Sequence, residues 1–124
     1  MLTVARYGTR NLARATKFYD DIGALLNARR VREIDNAVCY QGPEGGMFIV
    51  GLPFAGEATS GNGVQISFAA PNRGIVDKVH ARAMELGGKD EGAPGVRGPD
   101  PSGFYAAYFR DLDGNKLMVF HMQQ

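Results

Sequence analysis

The chain has 124 residues, 44% of them apolar and 22% charged, with a formal net charge of +1. That length suits one compact domain with a sizeable core, and the composition excludes a disordered chain. Lys and Arg are scattered among Asp and Glu, which excludes the basic stripe of a nucleic-acid surface, and no stretch is long and apolar enough for a membrane span.

The N-terminus carries no signal-peptide pattern. The single cysteine, Cys39, has no partner for an internal disulfide, so a reducing compartment and a cytoplasmic protein are expected. Seventeen glycines predict many tight turns.

In chain order, residues 2–8 (LTVARYG) are short, partly alternating and suited to a strand. Asn11 then caps a helix running to about Leu26. Its apolar residues Leu12, Ala15, Tyr19, Ile22 and Leu26 recur at three- and four-residue steps, which makes one helical face. RRVREI and AVCYQ read as two strands around a tight turn at Asp35-Asn36. PEGG turns the chain again before MFIVGL, a buried strand. The first half (1–52) is therefore strand, helix, strand, strand, strand.

Residues 53–62 (PFAGEATSGN) read as a surface connection. The order then returns over 63–124. GVQISFAA predicts a strand with Val64, Ile66 and Phe68 on one face and Gln65 and Ser67 on the other. Pro71-Asn72 opens a helix with the apolar face Ile75/Val76, Val79, Ala83 and Leu86, ended by Gly87-Gly88. KDEGAPGVRGPDPSG reads as a long loop with room for a short edge strand. FYAAYFR and NKLMVFHM form a hairpin around a charged turn. Two such units imply an α+β domain with internal pseudo-symmetry.

The stretches TRNLARATKFYDDIGALL (9–26), GVQISFAAPNRGIVDKVHARAMELGG (63–88) and GFYAAYFRDLDGNKLMVF (103–120) carry a resemblance. The chain resembles the vicinal oxygen chelate superfamily of glyoxalase I, bleomycin-resistance proteins and extradiol dioxygenases. The likeness spans essentially the whole chain, and the last hairpin is its most specific part. Leu112 stands where that family usually has proline. The resemblance implies two βαβββ modules whose sheets curve around a cavity, and a homodimer.

In metal-using members of that family, His and Glu side chains hold one divalent ion that chelates neighbouring substrate oxygens. The matching positions here hold Val4, Gln65 and Met118. Valine has no donor atom, a neutral amide is a weak ligand, and a thioether suits soft ions such as Cu(I). A further carboxylate, which some members take from the fourth strand, would fall within MFIVGL, and none is there. A one-residue slip brings in only Thr3, Ala5, Val64, Ile66, Leu117 and Val119. No metal centre and no cofactor are therefore expected.

Other constellations point to structure rather than chemistry. His80 lies one residue past the second helix's apolar face and reads as solvated. His121 alternates away from Met118 and Phe120 and reads as packing or interface. Cys39 reads as a buried, inert thiol without a histidine beside it. Asp111 and Asp113 read as hairpin residues, with Gly114 free to take positive φ.

Alternation groups Val4 with Arg6, Gln65 with Ser67, and Met118 with Phe120. On the concave face that the resemblance implies, these six residues line a small-molecule cavity, mostly apolar with sparse polar groups. Arg6 is placed to clamp an anionic group bidentately, and the ligand reads as planar or anionic. The facing of Tyr40, Tyr105 and Tyr108 stays open. The leading reading is a protein that binds a small organic molecule without metal. The alternative is a lyase, isomerase or dioxygenase that uses atypical metal ligands or none.

Overall fold

A computed structural model of the chain describes residues 1–101 and 103–123. The first half forms β1 (Val4–Gly8), α1 (Leu12–Leu25), β2 (Arg29–Ile34), β3 (Ala37–Gln41) and β4 (Met47–Gly51). The second half repeats that order as β5 (Ile66–Ala69), α2 (Arg73–Glu85), β6 (Lys89–Arg97), β7 (Phe104–Arg110) and β8 (Lys116–Met122). Each half makes its own four-stranded sheet, ordered β1-β4-β3-β2 and β5-β8-β7-β6. In both, the first strand runs parallel to the last, and the remaining pairs are antiparallel. The result is the α+β arrangement of two βαβββ units that the sequence predicts.

Local chemistry explains the helix ends. Asn11 has extended backbone (φ −150°) and its side chain accepts from the Arg14 N–H at 3.0 Å, which satisfies one free donor of α1. Asn72 does the same for α2 through the Ile75 N–H at 2.9 Å. At the C-terminus of α1, Asn27 turns left-handed (φ 57°) and the Ala28 N–H returns to the Gly23 carbonyl at 2.8 Å. Gly87 (φ 97°) and Gly88 close α2 in the same pattern.

One core runs through both halves. Phe18 and Ile22 of α1 join Val50, Val76, Val79, Phe109, Leu117 and Val119, all essentially without solvent exposure. The rings of Phe18 and Phe109 lie 6.3 Å apart, and those of Phe48 and Phe68 5.2 Å apart, so aromatic contacts cross the boundary between halves.

Three features depart from the sequence expectations. The long loop after α2 holds a full strand, β6, whose register with β7 shifts between Asp90 and Gly92 and again before Gly95. These bulges, with Pro94 on a sheet edge, hide the alternation that would mark a strand. Ser102, in the same stretch, lies outside the described residues.

His80 is buried, not solvated. Its ring packs edge-on against Phe109 and its Nε2 lies 3.0 Å from Asp90 of β6. It stands four residues after Val76, on the face that β6 and β7 cover. β5 is also shorter than expected, because pairing with β8 begins only at Ile66–Leu117. Val64 therefore lies outside the strand and is exposed rather than on the inward face.

Candidate functional site

The polar turn between β7 and β8 joins the two halves. Asp111 Oδ1 accepts the Asp113 and Asn115 N–H groups, both at 2.9 Å, while its Oδ2 accepts the Asn115 amide and the Tyr19 hydroxyl. Asp113 reaches further. Its Oδ2 takes the Thr9 hydroxyl at 2.5 Å, and its Oδ1 takes the Arg10 N–H at 3.0 Å and the Arg14 guanidinium at 3.1 Å. The Asn115 amide donates to the Gly8 carbonyl, and the Tyr7 hydroxyl to that of Lys116. The two acids thus specify the hairpin, as expected, and also hold the end of β1 and the start of α1.

From this junction β1 and β5, the facing edges of two sheets that do not join, bound a cavity of about 540 Å³. α1 contributes Tyr19, Ile22 and Leu26, and the first sheet contributes Tyr40 and Phe48. From the second half come Ile66, Phe68 and Phe120. Phe48 is the hub of the aromatic wall, with ring centroids 4.7 Å from Tyr19, 5.2 Å from Phe68 and 6.4 Å from Tyr40. Polar side chains on the lining are few: Thr3, Asn27, Glu44, Gln65 and Ser67.

The two tyrosines close the wall of this space, nearly buried themselves, and turn their hydroxyls away from it. Tyr19 donates to Asp111 Oδ2 at 2.5 Å, and Tyr40 to Asp20 Oδ1 at 2.8 Å. Burial first, and then the neighbouring carboxylates, push both phenols above their ordinary value, so both stay protonated donors. Burial likewise raises the Asp111 carboxyl, although its donors pull it back. Arg30 forks onto Asp20 at 2.7 and 2.8 Å and holds that carboxyl below its ordinary value.

Of the six residues grouped from the sequence, Val4, Gln65, Ser67 and Phe120 lie on this cavity. Arg6 and Met118 do not. The Arg6 guanidinium donates to the Leu52 carbonyl at 2.8 Å, beside Gly51, so no anion clamp stands in the cavity. Met118 lies on the open face of the second sheet, opposite Tyr108, with its sulfur 3.9 Å from the Gln65 amide. Tyr108 shares that open face, under Arg97 and Lys116. Tyr105 faces α2, bonded to Asp77 and beneath Arg73. His121 contacts the Ala70 carbonyl at 3.0 Å, and Cys39 is buried.

Sequence reasoning placed Tyr19, Ile22 and Leu26 only in the core, and read Glu44 only as a turn residue. Their helical spacing signalled burial but not the gap beside it. Glu44 has no local signal at all, because the edge it borders is set by β1 and β5.

The positions at which the resemblance implies metal ligands do not fit a metal. Val4 offers no donor, and Gln65 offers only an amide, whose nitrogen donates toward Ser67 Oγ (3.5 Å) and the Met118 thioether. Among the described residues, no group of three or more His, Cys, Asp or Glu side chains could hold an ion. What the cavity can do is take an apolar, planar body out of water against a ring-lined wall.

Comparison with known proteins agrees with the architecture. The profile of the Glyoxalase/Bleomycin resistance protein/Dioxygenase superfamily matches residues 2–119. A glyoxalase/bleomycin resistance protein from Albidiferax ferrireducens T118 shares 32% identity at a TM-score of 0.88, over 99% of both chains. Hypothetical protein SA1046 from S. aureus shares 23% identity at a TM-score of 0.73, over 98% of this chain and 92% of its own. A lactoylglutathione lyase from Agrobacterium tumefaciens shares 20% at a TM-score of 0.65, over 98% of this chain and 92% of its own; both of these show the fold alone. No curated protein matches the chain in sequence. The chain belongs to the glyoxalase/bleomycin resistance protein/dioxygenase superfamily.

Proposed function

We propose that this protein binds a small organic molecule in the cavity between β1 and β5, without the family's metal centre. One observation carries the reading. About 540 Å³ of space is lined by apolar and aromatic side chains with a handful of polar groups among them, which is the make-up of a small-molecule site. The chemistry of Val4, Gln65 and Met118 supports the metal-free part. Chemistry on a bound molecule is poorly served, because the only carboxylate on the lining is the exposed Glu44, no His, Cys, Lys or Arg accompanies it among the described residues, and both lining phenols are bonded away from the space.

The same reading includes a homodimer in a reducing cytoplasm. Exposed Met47 and Met122 and the half-buried Phe104 on the open sheet faces support the first. The single buried Cys39 fits the second. No helix among the described residues is long and apolar enough to cross a membrane.

The test is a thermal-shift screen of small planar organic compounds, run beside elemental analysis of the purified protein. Saturable stabilisation by such compounds in metal-free protein is expected. Stoichiometric Mn, Fe, Ni or Zn that is lost on substituting Gln65 and Met118 would overturn it.

A further inference from the structure

We infer that the cavity selects an uncharged or cationic aromatic molecule and rejects anions. This rests on the binding reading above and adds the charge of the ligand to it. Among the described residues, no Lys, Arg or His lines the cavity, and its one acidic side chain is Glu44. Arg6, on β1 beside the cavity, is committed to the Leu52 carbonyl, and Arg30 to Asp20.

The rings reinforce the bias. Both phenols of the wall spend their only hydroxyl proton on a carboxylate behind it, so neither is a donor to a bound anion. Both side chains are nearly buried, 2% and 4% exposed, so the wall they close offers a bound anion no polar group. Behind Tyr19 stands Asp111, whose hydrogen-bond donors are Tyr19, the Asn115 side chain and two backbone N–H groups, none of them cationic. An anion entering would give up its water for a wall without a counter-charge, which is costly. An ammonium would meet Glu44 at the PEGG turn.

Three probes that share a naphthalene ring and differ in charge test this: 1-naphthylmethylamine, 1-naphthalenemethanol and 1-naphthylacetate, titrated calorimetrically at pH 7. The amine and the alcohol are expected to bind, with the acetate weaker than the alcohol by about tenfold or more. E44Q is expected to weaken the amine relative to the alcohol by about two- to fivefold, the range of an exposed ion pair. S67F, or A69L if S67F does not fold, fills the space from the exposed edge strand and is expected to abolish binding of both. Acetate binding as tightly as the alcohol would overturn the charge selection while leaving the binding site in place. Failure of all three probes, or undiminished binding in the filled variants, would overturn the binding reading itself.

Discussion

The Tyr19 hydroxyl donates to Asp111 Oδ2 at 2.5 Å, joining the middle of α1 to a turn 92 residues later. The ring of the same tyrosine lies against the cavity. One side chain therefore seals the junction and walls the site, and the two roles separate cleanly. Tyr19→Phe keeps the ring and strips a donor from a buried carboxylate. It should cost about 1–3 kcal/mol in urea unfolding and leave the affinity for 1-naphthalenemethanol unchanged. An equal loss in both measurements would refute the division of labour.

Thr9 and Asp113 form the second tie. Thr9 is fully buried, and its hydroxyl both donates to Asp113 and accepts the Asn11 N–H at 3.1 Å. Thr9→Val leaves two groups unsatisfied, and Asp113→Asn weakens the contacts with Arg10 and Arg14. A double-mutant cycle should show the two coupled by about 1 kcal/mol. Strict additivity would mean that the bond contributes nothing to holding the halves together.

Acid sensitivity follows from opposed shifts. Hydrogen bonds from Arg30 hold Asp20 below its ordinary value of 3.8. Burial pushes Asp113 up, but Thr9, Arg10 and Arg14 outweigh it and leave that carboxyl low. For both, the unfolded chain takes up protons before the folded one, so their stabilisation is lost as pH falls below 3.8. Asp111, raised by burial, acts in the opposite sense above that value, where its contribution is lost as pH rises. Denaturation monitored by circular dichroism should therefore show the acid limb below about pH 4, and Asp20→Asn should flatten it. A limb of unaltered slope in that variant would exclude Asp20 as a source.

Gly51 tests how tightly β1, β3 and β4 approach. A Cβ there would sit 2.6 Å from the Ala37 Cβ, 2.7 Å from the Asn36 carbonyl and 2.8 Å from the Arg6 guanidinium. The first two cannot yield without moving backbone. Gly51→Ala should cost about 1–3 kcal/mol in stability, as overpacking does. Unchanged thermal stability would mean that the strands there are looser than these distances.

Local features were the readable part of the fold. Asn11 and Asn72, the spacing of Ala15, Tyr19 and Ile22, and the two-residue turn at Asp35-Asn36 each act within one or two turns of chain, so their signals survive in sequence. β6 was obscured because Gly92 and Gly95 sit at register shifts that break the period of two. His80 looks solvated from sequence for the same reason, since nothing local marks the strand whose Asp90 meets its ring.

The site was legible only where strand alternation decided it. Val4, Gln65, Ser67 and Phe120 lie on edges or faces that a period of two can assign. Arg6 obeys the same alternation, yet its long side chain bends to a carbonyl, and no pattern records that. Tyr19 and Glu44 reach the cavity through tertiary placement of α1 and of the PEGG turn. The turn acids were understood as hairpin residues, but their partners Tyr19 and Thr9 lie at the other end of the chain.

Thr9 and Asp113 are 104 residues apart, so their bond closes nearly the longest loop the chain allows. Such contacts repay their entropy only late in folding. The end of β1 is thus held twice, by a near partner in its own sheet, where Gly8 pairs with Gly51, and by a far one in the β7–β8 turn that closes only when both halves have come together.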